Sequence, residues 1–134
     1  MTSYETIYTQ CLSKITDPTL AMLSDEDLEN MLYGWLKSAI AKYRICQNDL
    51  SDRDDELKQF NVDLLDIEQE LLALLMAREW VSGQLLSVTN TLQVFSGKET
   101  SYYAQANHLK ELQALDEKLR LEAQQLSRDY SYFG

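Results

Sequence analysis

The chain has 134 residues, of which 45% are hydrophobic and 25% charged, proportions that are typical of one folded domain and too apolar for a disordered protein. Twelve lysines and arginines stand against 22 aspartates and glutamates, which leaves a net charge of −10 at pH 7. Proteins that bind nucleic acids or anionic membranes use basic side chains to meet phosphate groups. The charge therefore argues against sequence-specific DNA or RNA binding and against attachment to a membrane.

The residue types favour helices throughout the chain. Leucine occurs 23 times, whereas there are four valines, five isoleucines, four glycines and one proline. Unbranched helix formers with so few turn residues predict an all-α fold. The first residues lack the layout of a signal peptide, and the longest apolar run, 71–77, is far shorter than the ~20 residues that span a bilayer. Cys11 and Cys46 form no CxxC motif, so we expect an intracellular chain with reduced thiols.

The first 46 residues predict two helices. Apolar side chains recur at helical spacing from Tyr4 to Ile15, and Pro18 then forces a turn. Ser24 is a predicted N-cap, because three acidic residues follow it in the first turn, where the helix dipole favours anions. The pattern continues at three- and four-residue steps and predicts a helix over 25–45.

Most of the negative charge lies in one segment. Residues 47–70 contain nine acidic and two basic side chains, a net charge of −7 out of −10. Residues 47–63 also lose the helical periodicity, and they predict a long acidic loop with at most one helical turn. Loops longer than about 12 residues in a compact domain are usually functional or disordered.

Two further helical regions complete the prediction. Asp66 and Gln69 resemble a capping box that starts a helix to about Ser82, and its run 71–77 is apolar on every face, as in a buried central helix. Gly83 is expected to break or kink the chain before a shorter helix, 85–95, that Gly97 ends. A long helix follows over 101–129, with an aromatic tail at 130–134. The fold class is therefore a small helical bundle of three main helices plus one or two short ones, in a single domain 1–134.

Catalytic chemistry finds little support in the sequence. His108 has no nucleophile or orienting acid at a suitable spacing, which favours a structural or interface role. The cluster Asp49, Asp52, Asp54, Asp55, Glu56 lacks the glycine of a calcium-binding EF-hand loop, so we interpret it as solvated. Because phosphate-binding, nucleophile-elbow and zinc-protease motifs are also absent from the sequence, we expect no enzyme activity, no cofactor and no bound metal.

The aromatic residues fall into two groups. Trp35 and Trp80 lie in apolar helical stripes, where core packing is expected. Tyr130, Tyr132 and Phe133 lie at the end of the long helix, and aromatic side chains in such positions either complete a core or anchor a partner. We expect Tyr130 to complete the core and the other two to contact a partner.

Several stretches resemble a family of small structural proteins of tailed phages and prophages of Gram-positive bacteria. The resemblance covers nearly the whole chain and is weakest before residue 20. The stretches that carry it are DLSDRDD at 49–55, KQFN at 58–61, LAL at 72–74, EW at 79–80, YYAQANHLKEL at 102–112 and RDYSY at 128–132. Members of this family are similar in size and helical content to head–tail connectors, also called head-completion adaptors.

The resemblance implies a virion structural protein of the phage neck that assembles in the host cytoplasm. Such connectors form a homo-oligomeric ring, commonly of twelve subunits, that bridges the portal protein to a tail or stopper protein, with DNA passing through as non-specific cargo. Asp52, Asp54, Asp55 and Glu56 are then candidates for the channel wall, because carboxylates repel phosphate. Tyr130, Tyr132 and Phe133 are the candidate partner contacts. Two alternatives stay open: a cytoplasmic helical regulator that binds a partner helix, and an acidic DNA mimic.

Overall fold

The computed structural model describes the backbone of residues 1–94 and 99–133, and the side chains of residues 1–17, 19–89 and 106–132. Within these ranges the fold is mostly helical, which confirms the all-α prediction. The helices are α1 (Tyr4–Leu12), a 3-10 turn (Pro18–Met22), α2 (Asp25–Lys42), α3 (Asp66–Val94) and α4 (Glu99–Phe133). Three two-residue strands accompany them: β1 (Thr2–Ser3), β2 (Arg53–Asp54) and β3 (Gln59–Phe60).

The early helix boundaries have local causes. Ser24 accepts a hydrogen bond from the backbone N–H of Asp27 at 3.1 Å, which confirms the predicted N-cap of α2. The 3-10 turn begins in the same way, because Asp17 accepts from the N–H of Thr19 at 3.0 Å and Pro18 occupies the first position. Helix α2 ends at Lys42 rather than at the predicted residue 45, since Tyr43 leaves the helical conformation while its ring packs into the core.

Helix α3 is the centre of the bundle. It contacts α1, α2 and α4, and most of the run 71–77 is buried, which confirms the predicted central helix. The predicted break at Gly83 is wrong, because α3 continues through it to Val94. Glycine in a helix costs only about 1 kcal/mol relative to alanine, and packing along the bundle outweighs that cost. The helix end predicted at Gly97 lies outside the described residues.

Helices α3 and α4 lie antiparallel. Glu68, near the start of α3, contacts Tyr130 near the end of α4, whereas Arg78 pairs with Asp116 further back along α4. The predicted apolar stripe of α4 faces α3: Leu112, Leu119, Ala123 and Tyr130 are buried, and Leu109, Leu115 and Leu126 pack partly against the core. The predicted tail 130–134 is not a separate segment, because α4 extends to Phe133.

The acidic segment also differs from its prediction. Instead of a loop with one helical turn, residues 47–63 contain β2 and β3, which pair antiparallel and form with β1 a sheet in the order β1-β3-β2. Phe60 on β3 pairs with Thr2 and with Arg53 and is fully buried. Strands of two residues are too short to show alternation, so sequence periodicity could not reveal them.

Candidate interaction surfaces

The acidic hairpin, residues 52–61, holds all four candidate channel carboxylates. Asp54 shapes its turn, because its Oδ1 accepts from the N–H groups of Glu56 at 2.9 Å and Leu57 at 3.0 Å. At the other end of the hairpin, the carboxylate of Asp52 accepts a hydrogen bond from the side-chain amide of Asn61 at 3.0 Å. The side chain of Glu56 is exposed to solvent.

Asp55 joins the hairpin to the helical core. It accepts a hydrogen bond from the hydroxyl of buried Tyr4 at 2.6 Å and lies 3.4 Å from Nε of Arg53. The hydrogen bond from Tyr4 is the largest influence on the Asp55 carboxyl and, together with Tyr33 and Arg53, it lowers the pKa below its usual value. Asp55 therefore keeps its negative charge in a defined position beside the helical core at neutral pH.

The aromatic residues at the end of α4 occupy different environments. Tyr130 is only 2% exposed, and its ring packs edge-on against Tyr43 with the centroids 5.9 Å apart. Its candidate role as a direct partner contact therefore does not fit, whereas a place in the core does. Tyr132 is 84% exposed. The side chain of Phe133 lies outside the described residues.

Sequence reasoning missed a buried polar cluster around Glu68, a residue with no exposed surface. Its Oε1 accepts from the N–H of Leu65 at 2.7 Å and from the amide of Asn48 at 2.6 Å. Its Oε2 accepts from the hydroxyl of Tyr130 at 2.8 Å and from the thiol of Cys46 at 3.2 Å. Both carboxylate oxygens are thus saturated by donors from three separate parts of the chain.

The start of α3 explains how Glu68 comes to this position. Leu65 is the N-cap residue, because its carbonyl accepts the first helical hydrogen bond, from Gln69 at 3.0 Å. Glu68 is then the third helical residue, which in a capping box reaches back to the N-cap N–H. The predicted capping pair of Asp66 and Gln69 is therefore wrong by one position. The one feature of the sequence that could have identified this buried carboxylate was an acidic residue within a helical stripe of leucines.

Protonation in this cluster is set by competing effects. Burial raises the pKa of Glu68, but the donors from Leu65, Tyr130, Cys46 and Asn48 together lower it below the usual value. Burial and the neighbouring Glu68 raise the pKa of the Cys46 thiol to about 12. Burial likewise raises the pKa of Cys11 to about 12. Both thiols are thus protonated at neutral pH, a state in which they are poor nucleophiles.

The remaining candidates for chemistry lie apart from one another. His108 is exposed on α4, and Trp80 is buried with its indole N–H donating to Asp17 at 3.0 Å. Within the described side chains, no three His, Cys, Asp or Glu residues are grouped so that they could hold a metal ion.

One stretch of α3 is long and apolar enough to cross a membrane by length and composition. It runs over Asp66–Thr89 with a mean hydropathy of 1.2, and half of it is buried inside the bundle. The core helix of a soluble protein passes the same test, and α3 contacts α1, α2 and α4 within the bundle.

Comparisons of the chain with protein-family models, with curated proteins and with solved structures found no match.

Proposed function

We propose that the protein is a head–tail connector of a tailed phage or prophage, a virion structural protein that forms a homo-oligomeric ring between the portal and the tail. The observation that carries the proposal is the resemblance of the stretches at 49–61, 72–80, 102–112 and 128–132 to small phage structural proteins. The helical bundle and its long final helix are compatible with a subunit that packs against copies of itself.

The acidic hairpin supports a role beside passing DNA. Residues 47–70 carry a net charge of −7, and within this segment hydrogen bonds and strand pairing hold Asp52, Asp54 and Asp55 in place. Carboxylates on a channel wall repel phosphates, so DNA slides past without being bound. In the proposed ring, Asp52, Asp54, Asp55 and Glu56 face this channel, and Tyr132 and Phe133 contact the portal protein or an adjoining subunit.

Assembly is the first test. Cryo-electron microscopy of the particle should find a ring of this protein between the portal and the tail, commonly with twelve copies. Native mass spectrometry of the free protein provides the comparison, because a regulator that binds a partner helix would give dimers or mixed complexes. Finding one or two copies per particle would refute the ring.

The channel role needs a variant that removes charge without unfolding the hairpin. Asp54 and Asp55 hold the hairpin through their carboxylates, whereas asparagine at position 52 keeps the oxygen that accepts from Asn61. The exposed pair Asp52→Asn and Glu56→Gln is therefore the better choice. Particles with this pair should assemble normally but eject DNA more slowly. The matched control, Glu111→Gln with Glu122→Gln, removes the same charge from exposed positions of α4. Equal ejection rates for the two pairs would contradict the channel role.

A further inference from the structure

A groove runs between α1 and α2 and is closed at one end by the acidic hairpin. It encloses about 480 Å³ and has an apolar floor that includes Leu12, Leu28 and Leu32. Three carboxylates, Glu5, Asp25 and Glu29, line the same groove. We call it the α1–α2 groove. An apolar floor with acidic walls is suited to a ligand that is itself partly apolar and positively charged.

A smaller side cavity of about 210 Å³ adjoins this groove and shares Tyr8, Glu29 and Lys58 with it. Tyr33 and Asp55 complete the acidic and aromatic part of its lining. The ring of Tyr33 stacks on that of Tyr4, with centroids 6.2 Å apart. Carboxylates and aromatic faces together are the usual surroundings of a bound guanidinium.

Tyr8 provides an independent sign of a ligand. Its side chain is 93% buried, being only 7% exposed, yet its hydroxyl finds no hydrogen-bond partner among the described residues. Buried polar groups are nearly always hydrogen-bonded, so such a hydroxyl in the wall of a cavity indicates a missing donor or acceptor. Burial, and then the negative charges of Glu29 and Asp55, raise the pKa of Tyr8, which keeps the hydroxyl protonated at neutral pH.

Lys58 is the single cation that lines the two cavities, and it pairs with Glu29. This ion pair is weak, because the two side chains remain 52% and 40% exposed to solvent. A planar guanidinium that binds a carboxylate through two parallel hydrogen bonds would displace a lysine ammonium held in this way. Lys58 therefore occupies the place of a ligand cation.

We propose that the α1–α2 groove binds an arginine side chain from a basic segment of a partner protein. The guanidinium pairs with Glu29 in place of Lys58. Departure of Lys58 opens the Tyr8 hydroxyl, which is buried in this structure, so that its oxygen accepts from the guanidinium, while apolar residues beside the arginine lie against the groove leucines. The three groove carboxylates favour a basic segment as the occupant, by charge complementarity. The site stands independently of the proposed connector role.

The test uses the full chain and a defined probe, the peptide acetyl-Leu-Ser-Arg-Ser-Leu-amide, followed by NMR titration. The same peptide with citrulline in place of arginine has nearly the same shape without the charge. The arginine peptide should shift the signals of Tyr8 and Glu29 saturably. The citrulline peptide should bind at least tenfold more weakly, because it cannot form a charge-assisted hydrogen bond with Glu29. Equal binding of the two peptides, or no saturable binding of either, would overturn the proposal.

Three variants of residues that line the cavities test the proposal, because two of them should weaken peptide binding and one should strengthen it. Glu29→Gln should weaken arginine-peptide binding about tenfold, whereas Lys58→Gln should strengthen it, because it removes the internal competitor. Tyr8→Phe should weaken binding without lowering the melting temperature, since its hydroxyl has no partner within the described residues. The control Glu26→Gln removes the same charge from an exposed position on α2 that lines neither cavity, and it should leave binding unchanged.

Outcomes that contradict the assignment are equally distinct. Equal loss of affinity in Glu29→Gln and Glu26→Gln would mean that general charge attraction explains the binding. Weaker binding by Lys58→Gln would show that the lysine belongs to the ligand site rather than competing for it. Dimerisation of the free protein, abolished by Glu29→Gln in sedimentation experiments, would identify a second copy as the occupant.

Discussion

The hydroxyl of Tyr130 ties the last turns of α4 to the rest of the bundle. It donates to Glu68 Oε2 at 2.8 Å and accepts from the backbone N–H of Gln47 at 2.6 Å, so one oxygen joins α4, α3 and the segment after α2. Tyr130→Phe keeps the ring that packs on Tyr43 and removes only this oxygen. The substitution therefore isolates the hydrogen bonds from the packing.

The expected cost follows from the two bonds lost. A hydrogen bond to a charged group contributes about 1.5–3 kcal/mol, and an N–H left without an acceptor costs about 1–3 kcal/mol when buried. Gln47 lies at a partly exposed site where water can replace the lost acceptor, so Tyr130→Phe should lower the free energy of unfolding by about 2–4 kcal/mol. At roughly 3–5 °C per kcal/mol for a domain of this size, the melting temperature should fall by about 6–20 °C.

Urea unfolding followed by circular dichroism measures this change. Ser131→Ala, at the exposed neighbouring position, is the matched control and should shift the free energy by less than about 0.5 kcal/mol. A double-mutant cycle of Tyr130→Phe with Glu68→Gln should be non-additive, because the first change removes the donor of this hydrogen bond and the second neutralises its charged acceptor. A cost below about 0.5 kcal/mol for Tyr130→Phe, or strict additivity in the cycle, would refute the role assigned to this hydroxyl.

Three further predictions concern the helices. The pKa of Glu68 is lowered in the folded protein, so the ionised side chain stabilises the fold fully above its usual pKa of 4.5, and this stabilisation is lost as the pH falls below that value. Glu68→Gln should therefore be less stable than the wild type at pH 7. It should also lose less stability than the wild type between pH 6 and pH 3. Gly83→Ala should raise the free energy of unfolding by about 0.5–1 kcal/mol in thermal unfolding, since an added Cβ would meet nothing within 4 Å. A loss of stability would contradict a continuous helix at this position. Deletion of residues 131–134 should change the melting temperature by no more than a few degrees, because buried Tyr130 remains. If the protein is the proposed connector, the deletion should also abolish attachment to the portal; unfolding would place these residues in the core, and normal attachment would place the partner contact elsewhere.

Local chemistry in the sequence determined most of the helical framework. Ser24 with three acidic residues after it specifies the start of α2, because capping and dipole effects act within one turn. The wholly apolar run 71–77 likewise identified the central helix, since a helix without a polar face has to be buried. The stripe from Leu109 to Tyr130 correctly marked the face of α4 that meets α3.

The tertiary structure decided features that depend on residues far apart in the chain. The hairpin at 52–61 pairs with Thr2 and Ser3, more than 50 positions away, so no local pattern could show that the acidic segment is folded. Gly83 remains helical because packing along α3 outweighs the low helix propensity of glycine. Helix α4 continues through Tyr130, whose side chain reaches Glu68 on α3.

The three candidate sites differ in the same way. The concentration of charge in residues 47–70 is a property of the sequence, and it alone directed attention to Asp52, Asp54, Asp55 and Glu56. The Glu68 cluster and the α1–α2 groove each bring together side chains from three or more parts of the chain. Burial and geometry give these residues their chemistry, because a carboxylate or hydroxyl acquires its partners only when the helices that carry it pack together.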